Sequence, residues 1–383
     1  MIAKSLRGIA AAFLIGTASV AAAGIATVSV AQAAGVRPDV GKPLQEALKL
    51  AKAGKGRAAM AEIHKAEGVK KLTAEERKVI DQTKQYVMVK TGDFSGGVNN
   101  ATTAKAKFAH DYNARRYHEV VTTDAQLLKK YGAFDFRSQL LVAQSYYQMR
   151  QYKTAYGLLN RMGDSDQVIS LRMATASKMG DSEAVGQAAE QLVLKGQKKY
   201  WPYLFTAADN THGLKDEETL GIYRVRQLTG FMRNADDYSN ATQIAILLNY
   251  PQEAARIEQS GFDAKVLSGT RQERLLARAK QSAEQQAKQM AALAKSAHAA
   301  KTGDALVKLG ETYWGIGQYQ EALDAAQAGL KKGVKDEDHA QLVIGMAYTG
   351  LKKSSQAVRA LRKVKDPKAK VVARLWTVYA RTH

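Results

Sequence analysis

Residues 304–334 read DALVKLGETYWGIGQYQEALDAAQAGLKKGV, and the spacing within this stretch decides the fold. Gly310, Tyr313, Ala322 and Leu330 stand 3, 9 and 8 residues apart, and Gly345, Tyr348 and Ala357 repeat the first part of that pattern 35 residues later. Small residues at Gly310 and Ala322 let two helices approach closely, Tyr313 and Tyr319 fill the space beside them, and Gly317-Gln318 makes the turn. A helix pair that recurs at this interval cannot bury its apolar face alone and stacks on its neighbours. An all-α fold follows, and a chain built this way presents surface more readily than it performs chemistry.

The same logic extends towards the N-terminus. Ala143, Tyr146, Tyr152, Ala155 and Leu159 occupy the offsets of Gly310, Tyr313, Tyr319, Ala322 and Ala326. Tyr117 precedes Tyr152 by 35 residues, which makes 108–131 a degenerate copy. Met179-Gly180-Asp181 and Asn249-Tyr250-Pro251 read as turns leading into second helices of further pairs. Near the start, Val36 to Pro43 is predicted as a Pro- and Gly-containing lead-in that is not helical throughout, Ala53-Gly54-Lys55-Gly56 as the turn of a first hairpin, and Thr73-Ala74-Glu75-Glu76 as a helix start. Gln272 to Thr302, rich in Ala, Gln and Lys with few large apolar residues, predicts a long exposed helix or spacer ending at a boundary, Lys301-Thr302-Gly303.

Composition agrees with long helices: 383 residues contain 5 Pro and no Cys. Without Cys there is no disulfide, thiol chemistry or lipoprotein anchor. Residues 1–33 carry a targeting pattern, with Lys4 and Arg7 ahead of an uncharged run from Gly8 to Val30 and small residues at Ala31-Gln32-Ala33. Cleavage is expected after Ala33, giving a periplasmic or secreted protein. The alternative is an uncleaved N-terminal membrane anchor, since the run exceeds the ~7–15 residues of a usual signal core. Removing Lys4 and Arg7 lowers the formal charge from +21 to +19, so the mature chain stays basic. Such a field steers acidic proteins, acidic polysaccharide or anionic lipid, and outside the cytoplasm nucleic acid is not the expected partner.

These residues resemble the tetratricopeptide repeat family, firmly over Asp304–Val334 and His339–Val364, less so over Arg137–Met162, and faintly elsewhere. The resemblance implies a right-handed α-α superhelix, a solenoid of helical hairpins. Residues 1–33 are then the signal peptide, 34–300 a degenerate solenoid, and 301–383 the C-terminal repeats with a basic capping helix. It also implies an adaptor that holds a peptide in the concave groove lined by the first helix of each pair. Carried over, the groove positions are Asp304, Val307, Glu311 and Trp314; His339, Leu342, Met346 and Thr349; and Arg137, Leu140, Gln144 and Tyr147. The Lys and Asn of the family's carboxylate clamp are replaced by Val307, Glu311, Leu342, Met346, Leu140 and Gln144, so a mixed, partly apolar groove is expected. Trp314 offers a large rigid anchor.

Catalytic constellations are not found in the sequence. None of the seven histidines has H-E-x-x-H or other metal spacing, Phe94-Ser95-Gly96-Gly97 lacks the Lys of a phosphate loop, and no G-x-S-x-G elbow occurs. Paired acids such as Asp236-Asp237, Glu217-Glu218 and Glu75-Glu76 sit at helix starts, where they complement the macrodipole. The aromatic run Trp201-Pro202-Tyr203-Leu204-Phe205 reads as packing at a helix start. Leu351 to His383 carries ten Lys or Arg against Asp366, and its helix, with Val371, Val372, Leu375 and Val378 inward, reads as a solvated cap or as a docking face for an anionic envelope surface.

The expected function is therefore an exported, non-enzymatic scaffold without cofactor or metal that binds a protein or peptide partner, an acidic one among the candidates. A polyanion or membrane-surface binder, and a helical-superhelix enzyme acting on cell-envelope glycan, are the alternatives. The sequence leaves the oligomeric state open.

Overall fold

The computed structural model describes residues 36–383, and all regular structure among them is helical. The targeting segment and the alternative anchor lie outside the described residues. Two compact units are formed, one ending at Asp181 and one running from Ser182 to His383.

The first unit contains α1 (Pro38–Lys52), α2 (Gly56–Glu67), α3 (Ala74–Thr91), α4 (Ala101–Asn113), α5 (Tyr117–Glu119), α6 (Ala125–Lys130), α7 (Phe136–Gln148), α8 (Tyr152–Leu159) and α9 (Asp166–Met179). Each packs chiefly on its neighbours in sequence. The lead-in expected at Val36–Pro43 is non-helical at Val36 and Arg37 alone: α1 starts at Pro38, where a missing N–H costs nothing, and runs through Pro43. Pro43 removes one backbone bond, but Val40, Leu44, Ala47 and Ala51 are buried against Ile63 and Val79, and this contact holds the helix. Thr73 and Glu76 form a reciprocal cap on α3, and Arg37 clamps Glu76 at 2.8 and 2.9 Å. A π turn, Val120–Asp124, joins α5 to α6 and carries Asp124 into the interior beside Lys107 and Asp111.

The second unit contains α10 (Ser182–Leu194), α11 (Trp201–Asp209), α12 (Asp216–Thr229), α13 (Ala235–Leu247), α14 (Pro251–Asp263), α15 (Thr270–Ala299), α16 (Asp304–Gly315), α17 (Tyr319–Lys332), α18 (Glu337–Gly350), α19 (Ser354–Leu361) and α20 (Pro367–Thr382). Helix α15 matches the long exposed helix expected from Gln272: only Ala279, Gln286 and Ala297 of its 30 residues are buried. Trp201 is buried and stacks on Phe205, the packing role anticipated for that aromatic run.

One turn recurs and ties the pairs to a common plan. It joins α1 to α2, α4 to α5, α7 to α8, α13 to α14, α16 to α17 and α18 to α19. Gly54, Arg115, Arg150, Asn249, Gly317 and Lys352 each adopt a left-handed backbone, with φ from 57° to 82°. The N–H of the next residue donates to the carbonyl five positions back at 2.7–2.9 Å, as in Gln318 to Tyr313 and Lys353 to Tyr348. Arg115 and Arg150 are 35 residues apart, as are Gly317 and Lys352, so the sequence period reappears as a backbone period. Close helix approach at the small residues is also present: a Cβ on Gly310 would come within 2.9 Å of the Ala322 carbonyl oxygen.

The C-terminal helix departs from expectation. Besides α18 and α19, α20 packs on α10, α11 and α12. Trp376, Val372, Leu375 and Val378 are buried, the Trp376 Nε1–H donates to the Gly221 carbonyl at 3.1 Å, and Arg374 pairs with Glu190. The solvated cap is thus corrected to a docked helix, because α20 has apolar residues on more than the one face read from the sequence.

Candidate functional site

Of the eight groove positions assigned to α16 and α18, Asp304, His339 and Thr349 are half-buried and the other five are interior. Val307, Glu311, Trp314, Leu342 and Met346 are all buried, Trp314 with only 4% of its surface exposed. Helices α12 and α20 cover this region. The Trp314 ring meets Trp376 edge-on with centroids 5.6 Å apart, and its Nε1–H donates to the Met346 carbonyl at 3.2 Å. As open groove contacts these residues are corrected: the chain itself occupies the face that the resemblance assigned to a peptide.

At the centre lies a charge cluster that the sequence did not reveal. Arg224 of α12 donates to both oxygens of Glu253 on α14 at 2.8 and 2.7 Å, and to Glu311 on α16 at 2.8 Å. The other Glu311 oxygen accepts from the Tyr250 hydroxyl at 2.6 Å and lies 3.1 Å from His339 Nε2. Arg224, Glu253 and Glu311 are almost wholly buried. With His339 protonated, two positive and two negative charges balance. Burial works against a charged Glu311, but His339, Arg224 and the Tyr250 hydroxyl outweigh it and hold its carboxyl well below the ordinary range. Burial likewise opposes a charged His339, yet the Glu311 carboxylate raises its pKa above the usual value. The arrangement fastens α12, α14, α16 and α18 to one another.

Arg224 stands among Leu220, Ile222 and Val225, and a single sequence does not tell a buried arginine from a surface one there. The signal, visible only in retrospect, is that Glu311 and His339, at inner positions of two successive hairpins, both need a charged partner.

The middle copy differs. Arg137 in the first turn of α7 is exposed, Phe136 next to it leaves 47% of its surface in solvent, and Gln144 and Tyr147 towards the other end are half-buried. Tyr147 packs edge-on against Tyr152, centroids 5.4 Å apart, and rests with Leu140 on a core of Ala143, Leu159 and Val168. Asp135 caps α7 by accepting from the Ser138 N–H at 2.9 Å, which fixes Phe136 and Arg137 in the first turn. Of the sequence-derived positions, Arg137 is exposed, and Leu140, Gln144, Tyr147, Asp304, His339 and Thr349 are half-buried.

Compared with protein-family models and with curated proteins, the sequence matches none. Among the described residues, no group of three or more His, Asp or Glu side chains is arranged to hold a metal ion. No described helix is long and apolar enough to cross a membrane.

Proposed function

We propose that the protein is an exported, tetratricopeptide-like scaffold whose hairpins wind as a right-handed superhelix and which binds a protein or peptide partner on its accessible helix faces. Export rests on the sequence of residues 1–33. The observation that carries the scaffold reading is the hairpin turn that returns every 35 residues at Arg115 and Arg150 and again at Gly317 and Lys352. A repeated two-helix module with small crossing residues is how solenoids build extended binding surfaces. The face supported for contact is one side of α7, with Phe136 and Arg137 in its first turn and Tyr147 in its last, about 16 Å further along the helix.

Crosslinking the protein in its native envelope, then identifying what is captured, tests this. One protein species, recovered by the native chain and lost with Phe136→Ala and Tyr147→Ala together, is the expected result. Recovery of no species above background overturns the reading.

A further inference from the structure

With the inner face of the C-terminal repeats filled by α12 and α20, their outer face carries the remaining recess. A cleft of about 420 Å³ opens between α17 and α19, with α18 as its floor. Lys331, Arg359 and Lys363 stand exposed around it. None of the three makes an ion pair, and no carboxylate lines the cleft. Leu330, Ile344 and Ala360 form an apolar strip along its base.

Gln341 is the second, independent sign of a ligand. Its side chain lines the cleft with only 8% of the residue exposed, and its amide makes no hydrogen bond within the protein. The amide meets water through the cleft, where a bound group can take that water's place. A second cleft, between α13 and α15, also shows three arginines, Arg271, Arg274 and Arg278. It includes Asp236, however, and none of its polar residues is buried.

We propose that the outer cleft of α17, α18 and α19 binds an acidic peptide segment, its backbone paired with Gln341 and its carboxylates with Lys331, Arg359 and Lys363. This rests on the scaffold reading and adds the ligand class. An amide side chain both donates and accepts, which matches a peptide backbone carrying N–H and C=O groups. A phosphate only accepts and has no use for the apolar strip. A lipid surface is too flat to reach a side chain recessed between helices. Gln356 stands on the α19 wall, and the Gln327 amide donates to the Tyr348 hydroxyl at 3.0 Å, so the cleft offers further groups of both kinds.

The test is fluorescence anisotropy of the purified protein with a short labelled peptide of Glu and Ser carrying two Leu residues. Saturable binding is expected, weakened about tenfold or more by Arg359→Glu with Lys363→Glu and about fivefold by Gln341→Leu. Lys352→Glu with Lys353→Glu, in the adjoining turn, changes the net charge equally and should leave affinity within about twofold. Circular dichroism verifies helicity, and Arg359→Gln with Lys363→Gln keeps the test intact if Gln341→Leu fails to fold. Equal losses in the cleft and control variants, or displacement of the peptide by phosphatidylglycerol vesicles or inorganic phosphate, overturn the proposal. If the peptide does not bind while envelope crosslinking still captures a partner through Phe136 and Tyr147, the cleft falls and the scaffold stands. Failure of both assays removes both.

Discussion

The Arg224 guanidinium carbon lies 4.7 Å from the centre of the Trp314 ring while its nitrogens bind Glu253 and Glu311. A cation stacked on an indole and held by two carboxylates from different helices is fixed in three directions. This relationship makes a core of the face shared by α16 and α18, and it sets the first expectation.

Arg224→Met should destabilise the protein by about 3–5 kcal/mol, because Glu253 and Glu311 would remain buried without their counter-charge. Trp314→Ala should cost a similar amount, about 3–5 kcal/mol, through the cavity it leaves against Trp376. Urea denaturation followed by circular dichroism measures both. A loss below about 1 kcal/mol in both variants would show that the cluster is not what fastens α12 to α16.

Stability should fall as pH rises past 6.5, the ordinary histidine value, because the folded-state pKa of His339 lies above it. A group whose folded pKa is raised contributes fully below its unfolded value and loses that contribution as pH climbs through the folded one. Glu217 and Asp336 face the same imidazole and act in the same direction. Glu311 has the opposite sign: its depressed pKa stabilises above the usual carboxylate range and is lost in acid. The His339→Asn protein should be less stable at pH 6 by about 1.5 kcal/mol and show a shallower decline to pH 8.5. Parallel curves for the two proteins would contradict this.

Glu258 on α14 is fully buried and neither of its oxygens finds a hydrogen bond, nor does the Thr242 hydroxyl. Burial raises its pKa, so its protonated form is favoured on folding, and the charged form at higher pH works against the fold. Glu258→Met should therefore stabilise the protein at pH 8 by about 1–3 kcal/mol, with a smaller gain at pH 4.5. Thermal melts at the two pH values decide it.

Arg150 and Lys352 adopt φ of 61° and 57° in the recurring turn, where Gly317 sits in the equivalent place. A Cβ in that region costs about 1–2 kcal/mol, of which glycine's extra unfolded-state entropy takes back about half. Arg150→Gly and Lys352→Gly should each raise stability by about 0.5–1 kcal/mol, read as a higher urea midpoint at unchanged slope. A drop in midpoint would mean that these side chains do something beyond tolerating the turn.

The sequence made the hairpins of 304–364 legible because small and aromatic residues at fixed offsets are local signals, and the turns at Gly54, Asn249 and Gly317 were visible as punctuation. Turns centred on Arg115 and Arg150 lack that punctuation and were traced only through Tyr117 and Tyr152. The π turn at Val120–Asp124 and the helical Pro43 depend on tertiary contacts, which no local pattern encodes. The docking of α20 on α12 joins residues 155 positions apart, as in Trp376 and Gly221, and nothing along the chain announces it. For the same reason the sequence assigned positions on α16 and α18 to a groove, but what covers them was not foreseen.

That last contact alters how the protein holds together. Stacked repeats hold chiefly to their immediate neighbours, but here the pocket around Trp314 is sealed by residues 367–382, far along the chain from α12. Loosening of α20 would open the indole to water, so this helix ties the stability of α16 and α18 to that of α10, α11 and α12.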